Sequence, residues 1–362
     1  MNKSKNINVA IIGTQGIPSQ YGGFETLAEN LTKFLGNKLE MTVFCSAKSY
    51  SFQEQNHNNA KLEYIKLEAN GFQSIPYDIL SLFKAARKNE QILILGVSGC
   101  IILPFFRLMY PKKRLIINID GLEHRREKWK KPVQKFLKLS ERLAIKYGDQ
   151  IITDNKAIQD YVTCEYKKES ELIAYGGDHS KAMKLNRVIA DRYNIPKRYA
   201  FKVCRIEPEN NIHLILEAFK ESSLPLVIIG NWDKSEYGRN LKVNYSQYSS
   251  IVLLDPIYDQ SILDQVRSNC TMYIHGHSAG GTNPSLVEAM YIGLPIIAFD
   301  VSYNRETTFN KAKFFKDVLE LKELVQNITS EELEKLKVDM KMIAEEQYCW
   351  SKITSQYYHM FV

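Results

Sequence analysis

The chain has 362 residues, 44% hydrophobic and 25% charged, with 48 Lys and Arg against 41 Asp and Glu for a formal net charge of +7. That balance is the one found in soluble globular proteins, and no run approaches the ~18–20 apolar residues of a membrane-spanning helix. Six scattered cysteines show neither a CxxC pair nor metal-ligand spacing, which argues for reduced thiols and against a disulfide framework.

The opening MNKSKNINVAIIG runs straight into a strand pattern, so no secretory signal is expected. Residues 7–13 read as a buried strand, followed by the loop TQGIPSQYGGF and a helix over 25–35 with Leu27, Leu31 and Leu35 on one stripe. Strands are expected over 41–45, 62–67, 91–96, 114–119, 150–154 and 171–174, with helices over 79–88, 133–147 and 156–166. The loop 176–178 reads as a domain junction, and a second alternation follows it. Its strands fall over 199–205, 225–230, 251–254, 272–275 and 294–299, and its helices over 211–221, 261–269 and 331–346. A last, aromatic-rich helix covers 351–360. Alternating strands and helices predict two doubly wound α/β domains with parallel sheets. In such sheets ligands bind beyond the carboxyl ends of the strands, and the loops with chemical potential lie there.

The stretch 275–300 (HGHSAGGTNPSLVEAMYIGLPIIAFD) holds the densest set of signals. Thr282 or Asn283 can cap a helix that has Pro284 at its first position and Gly293 at its left-handed end. Gly280 and Gly281 leave backbone amides bare just before it, an arrangement that favours an anion. Glu288 lies one turn further, on the face of Pro284. Taken alone, the pattern suits an ordinary strand–helix connection with a solvated Glu equally well.

Three other loops carry candidates. In 13–25 the GxGxxG spacing of a dinucleotide site is missing, but Gly22 and Gly23 precede a helix and can approach a phosphate, or simply make a flexible turn. In 118–123 Asp120 and Glu123 lie beside Gly121 and His124, either as partners for sugar hydroxyls or a base, or as surface acids of an Asx turn. In RIEPENN (205–211) the Arg205 guanidinium suits a phosphate, against an exposed ion pair with Glu207 or Glu209, and Asn210 or Asn211 can cap the next helix. His275 and His277 lack a third ligand, so no metal is expected there.

The positive charge favours anionic partners. It concentrates over 125–138, where Arg125, Arg126, Lys128, Lys130, Lys131, Lys135 and Lys138 surround Trp129, Val133, Phe136 and Leu137. That segment reads as a solvated face or as an amphipathic stretch resting on an anionic membrane. No nucleic-acid-binding motif is present, and nucleic acid is not expected as a partner.

Taken together, Arg205 after a strand and GGTNPSLVEAMYIGLPIIAFD resemble the nucleotide-binding half of GT-B glycosyltransferases, most closely the retaining glycosyltransferase family four. The strings GTQGIPSQYGGFETLAENL and NIDGLEHRREKW are similar to a bacterial subgroup of rhamnosyltransferases that build capsule, cell-wall or O-antigen polysaccharide. The resemblance implies an α/β GT-B architecture of two Rossmann-like domains facing across a cleft. It implies an acceptor-side domain over 1–178, to which helix 350–362 returns, and a nucleotide-sugar domain over 179–349. Glu288 is similar to the glutamate that contacts the donor ribose, and Arg205 to the arginine that neutralises the pyrophosphate. Gly280, Gly281, Thr282 and Asn283 would offer amides, Gly22 and Gly23 would close over the diphosphate, and Asn210 would line the donor site. Asp120, with Glu123 and His124, would stand on the acceptor side.

Two departures stand out. Gly280 occupies the position of a second family glutamate, and Asn210 that of a family lysine. The implied reaction is retaining transfer of a sugar, L-rhamnose from dTDP-rhamnose, to a saccharide on a polyprenyl-diphosphate-linked acceptor. No metal or other cofactor is implied. The implied place is the cytoplasm, peripherally on the inner membrane face. The rival readings are a nucleotide-sugar epimerase or hydrolase of the same fold, using Asp120 and Glu123, and a non-catalytic nucleotide-sugar-binding partner.

Overall fold

Apolar residues 9–12 are buried on both faces of the first strand, β1 (Asn8–Ile12), as a parallel sheet covered on both sides requires. Gly13 ends the strand at φ +85°, where a Cβ would stand 2.1 Å from the Leu95 carbonyl oxygen, so only glycine turns the chain here. The computed structural model describes residues 7–20, 22–119, 121–126 and 129–362. It divides into two compact units, Met1–Tyr175 with Trp350–Val362, and Gly176–Cys349.

The first unit continues with β2 (Glu40–Ser46), β3 (Asn56–His57), β4 (Ala60–Ile65), β5 (Gln91–Leu95), β6 (Arg114–Ile119), β7 (Gln150–Thr153) and β8 (Glu171–Leu172). Their order is β3-β4-β2-β1-β5-β6-β7-β8, parallel throughout except for the β3–β4 hairpin. That hairpin is absent from the sequence-based expectations. Asn58 and Asn59, both at positive φ, close it with a two-residue turn of the kind whose twist matches paired strands. A helical stretch over 98–109 was likewise not expected. It opens as a 3-10 helix, Ser98–Ile102, and continues as an α-helix, Leu103–Met109.

The second unit holds β9 (Ala200–Val203), β10 (Leu226–Ile229), β11 (Ile251–Leu254), β12 (Met272–His275), β13 (Ile296–Phe299) and β14 (Lys313–Phe315). All pairs are parallel, in the order β11-β10-β9-β12-β13-β14. β9 stops two residues before the expected end, because residues 204–207 leave the sheet to form a loop. Helix Ser330–Gln347 begins with a capping box between Thr329 and Glu332. Among the described residues, no helix is long and apolar enough to cross a membrane.

Helix Trp350–Phe361 belongs to the first unit and packs on helix Gly23–Leu35. Trp350, Ile353, Tyr357 and Phe361 form its buried stripe. It is tied to the sheet by the Asn118 amide donating to the Tyr357 hydroxyl oxygen at 2.5 Å, and by Gln91 donating to the Phe361 carbonyl at 2.6 Å. Tyr357→Phe leaves the buried Asn118 amide without that acceptor. Urea unfolding should show a loss of about 1–3 kcal/mol, and an unchanged midpoint would show that the bond contributes nothing.

Candidate functional site

β9 and β12 are neighbours from which the chain proceeds in opposite directions across the second sheet, the topological switch point where α/β sheets bind ligands. The loops leaving their carboxyl ends are tied to each other. Ser278 donates both its N–H and its hydroxyl to the Glu209 carbonyl, at 2.8 and 2.9 Å. The Asn211 amide donates to the Gly276 carbonyl at 3.0 Å. Arg205 is exposed at the start of the first loop. Asn210 is turned inward, donating to the Arg205 carbonyl at 2.6 Å, so its amide shapes the loop around the arginine. Neither Asn210 nor Asn211 caps helix Ile212–Phe219 through its side chain. Asn211 adopts a left-handed conformation, φ +51°, and reaches across to the second loop instead.

The second loop ends in helix Pro284–Ile292, which is capped by Asn283. The Asn283 side-chain oxygen accepts from the Ser285 N–H at 3.1 Å and from its hydroxyl at 2.7 Å. Thr282, the other capping candidate, is buried. Gly280 has φ +126°, and a Cβ there would meet nothing within 4 Å. Its glycine therefore answers a backbone requirement and leaves open space beside the loop. On the far side, the Asn304 amide holds the His277 carbonyl at 2.9 Å. Gly293 closes the helix in the left-handed conformation. Partly exposed Gly280, Gly281 and Asn283 thus bring their backbone to the positive end of the helix dipole, near the loop that carries Arg205.

Glu288 is not a solvated acid. One oxygen accepts from Arg267 at 2.6 Å, and the other lies 3.1 Å from His179 Nε2. Its side chain keeps 13% exposure while that of Arg267 keeps 1%. Burial alone would raise the Glu288 carboxyl, but the Arg267 guanidinium, then His179, hold it down at about 2. Sequence reasoning missed both partners. Arg267 lies in the last turn of helix Gln260–Ser268 with nothing in the local sequence to mark it, and residues 176–186 cover it. That segment lies along the helix, with Lys181 N–H on Asp264, Asn186 N–H on Gln265 and the Ser180 hydroxyl 3.2 Å from Arg267. Gly177 makes its close pass possible, because a Cβ there would stand 2.5 Å from the Val287 carbonyl oxygen.

In the first unit, Gly22 and Gly23 stand at the N-terminus of helix Gly23–Leu35, and that terminus already has an anion. The buried Glu25 carboxylate accepts from the Thr14 hydroxyl at 2.9 Å and the Gln15 N–H at 2.8 Å, and a Cβ on Gly22 would stand 2.0 Å from it. Asp120 lies outside the described residues. Glu123 pairs with Arg126 at 2.7 Å, and His124 Nδ1 lies 2.9 Å from the buried Glu141. Tyr161, Tyr166 and Lys138 also bond Glu141. Burial would raise the Glu141 carboxyl, and His124, then Tyr166 and Tyr161, lower it.

The basic segment differs from its amphipathic reading. Of its apolar residues, Leu137 is buried and Trp129, Val133 and Phe136 are half-buried, so the stripe packs against the protein. Arg126 and Lys138 are spent on internal ion pairs, and Lys128 lies outside the described residues. Arg125, Lys130, Lys131 and Lys135 remain exposed, with Arg125 over the Tyr161 ring.

Residues 189–347 match the family described as Glycosyl transferases group 1, and residues 6–178 match a Domain of unknown function, DUF1972. No curated protein matches the chain. Among solved structures, sucrose-phosphate synthase from Thermosynechococcus elongatus is similar with a TM-score of 0.80 at 14% identity, over 98% of both chains. Anabaena HepE, in complex with UDP and glucose, gives 0.75 at 12% identity, over 98% of this chain and 99% of that one. An E. coli structure described as trehalose-6-phosphate bound with UDP-2-fluoro glucose gives 0.70 at 11% identity, over 98% of both. The fold, two α/β units with parallel Rossmann-like sheets, is that of GT-B glycosyltransferases, and the second unit carries a glycosyltransferase group 1 domain.

The Glu288–Arg267 pair makes a prediction about stability. Arg267→Met strands a buried carboxylate and should cost roughly 3–5 kcal/mol in urea unfolding. In the wild type the carboxyl stands at about 2 in the fold, against ~4.3 unfolded. Its contribution is therefore complete above the unfolded value and lost as pH falls through about 2. The variant should lose less stability than the wild type between pH 5 and 2, and identical acid profiles would contradict this account.

Proposed function

We propose that this protein transfers a glycosyl group from a nucleoside-diphosphate sugar bound by its second unit to a saccharide acceptor, with retention of configuration. The observation that carries the reading is the tied pair of loops at the β9–β12 switch point of a glycosyltransferase group 1 domain. It joins an exposed Arg205 to a helix N-terminus with partly exposed glycines. A nucleoside diphosphate leaves with growing negative charge. Arg205 and the aligned amides of 280–283 stabilise that charge more than they stabilise the bound substrate, which lowers the barrier. The fixed geometry matters as much as the charge, since preorganised donors need not reorient during the reaction.

Glu288 takes the ribose in this reading. A carboxylate has about four acceptor sites. Arg267 and His179 occupy one on each oxygen, which leaves acceptor capacity at its exposed edge for hydroxyl groups. Retention follows a front-face path in which the departing phosphate assists deprotonation of the acceptor hydroxyl. We extend the proposal to L-rhamnose from dTDP-rhamnose as donor. The Gly280 position offers backbone where a carboxylate would bind sugar hydroxyls, and a 6-deoxy sugar asks for fewer polar partners. The acceptor is a lipid-linked saccharide, with the exposed Lys130, Lys131 and Lys135 facing an anionic membrane surface.

A thermal-shift screen over nucleoside diphosphates and nucleotide sugars identifies the donor. Turnover with a lipid-diphosphate saccharide then tests the reaction. Nucleoside diphosphate released only with acceptor, and an unchanged anomeric configuration in the product, are expected. Release or isomerisation without acceptor, or binding without turnover, would overturn the proposal. Arg205→Ala should lower kcat roughly 10²–10³-fold, and wild-type turnover would remove Arg205 from the site. Replacing Lys130, Lys131 and Lys135 together by Ala should weaken sedimentation with anionic vesicles, at about 1 kcal/mol per charge. Equal binding of the wild type to neutral and anionic vesicles would sink the membrane contact.

A further inference from the structure

Two side chains at the β9–β12 switch point are not used by the mechanism above. Lys202 on β9 and His275 at the end of β12 are both 0% exposed. Neither the Lys202 Nζ nor either ring nitrogen of His275 has a hydrogen-bond partner. The strand register sets Ala200 opposite Met272 and Phe201 opposite Tyr273, so both groups lie toward the carboxyl end of neighbouring strands. The amine sits directly under the seam between the two loops. A Cβ built on Gly276 would stand 3.2 Å from Lys202 Nζ and 2.3 Å from the Asn210 carbonyl oxygen. The Ile215 side chain reaches the same point, with its Cδ1 2.7 Å from that Cβ, so the amine and an apolar group share the space beneath Gly276.

A buried ammonium without a partner is costly unless an anion arrives or the group loses its proton. Burial pushes the Lys202 amine below its ordinary value, with Cys204 opposing weakly. Burial, then Lys202, holds His275 well below the imidazole range, so it stays neutral. Burial raises the Cys204 thiol, on which Lys202, Glu207 and Arg205 also act. Glu209 on the first loop and His277 on the second, whose ring stacks on His275 with centroids 4.4 Å apart, are further ionisable groups at the seam. Asn210, meanwhile, brings no charge to its loop and is occupied with the Arg205 carbonyl.

We propose that Lys202 is the second cation of the donor site, placed beneath the seam so that the diphosphate of the bound nucleotide supplies its missing counter-charge. The inference rests on the donor-site reading above. Binding of the anion favours the protonated amine, so Lys202 takes up a proton as the nucleotide binds. Arg205 and Lys202 then act on the same diphosphate, one from the exposed side of the loop and one from the sheet.

Calorimetric titration of the full chain with UDP and dTDP, and with uridine and thymidine, tests this. Lys202→Met should weaken diphosphate binding roughly 10- to 100-fold and leave nucleoside binding unchanged. Between about pH 7 and the ordinary lysine value of about 10.4, wild-type affinity for the diphosphates should fall as pH rises past the lowered value of the free amine, by up to about tenfold per unit, and the variant should be flat. Arg205 does not titrate in this range and the phosphates are already ionised. Equal diphosphate affinity in both proteins, or equal losses for nucleosides and diphosphates, would overturn the proposal. If Lys202→Met does not fold, Lys202→Gln replaces it, and a flat wild-type pH profile alone is enough to overturn the idea. A wild type that binds neither diphosphate overturns the donor-site reading itself.

Discussion

The seam between residues 205–211 and 276–283 is the constraint on which the second unit's chemistry depends. Strands end with backbone groups that the sheet no longer pairs, and buried polar groups of that kind must find partners. Here Ser278 and Asn211 provide them from the opposite loop, satisfying the Glu209 and Gly276 carbonyls. The same bonds fix the distance between an exposed guanidinium and a helix N-terminus. Satisfying the strand ends and placing Arg205 beside a helix N-terminus are therefore one requirement. The glycines follow from it. Gly276 has no room for a side chain under the Asn210 carbonyl, and Gly280 has the backbone conformation that leaves the loop open.

The buried ion pair behind this seam acts differently. Pairing Glu288 with Arg267 adds little net stability compared with an apolar substitute, because both charges lose water. It does keep a carboxylate ionised where burial would otherwise neutralise it. The pair also couples three pieces of chain that are distant in sequence: residues 176–186, helix Gln260–Ser268 and helix Pro284–Ile292. A change in any of them reaches the face that Glu288 presents.

In the first unit, buried carboxylates consume charges that look available in the sequence. Glu25 occupies the helix terminus beside Gly22 and Gly23, and Glu141 gathers His124, Lys138, Tyr161 and Tyr166. The apolar stripe of helix Lys131–Tyr147 then faces inward, so its exposed lysines are left to meet any surface partner by charge alone.

The sequence by itself determined the alternation of elements, both parallel sheets, the capped helix at Pro284 and the glycine ends of its loops. These depend on local periods and on backbone conformations that only certain residues adopt. The loops of the second half also carried the glycosyltransferase resemblance that the group 1 match over residues 189–347 supports. The hairpin at Asn58 and Asn59 was present in the sequence as two turn-forming residues, but it had too few strand residues to announce itself. What only the tertiary structure decided is which polar groups meet. Asn210 turns inward, Glu288 meets Arg267 and His179, and Lys202 lies unpaired beneath Gly276. Each of these depends on contacts between segments far apart in the chain, and the energy of a buried charge is set by such neighbours and not by its own residue type.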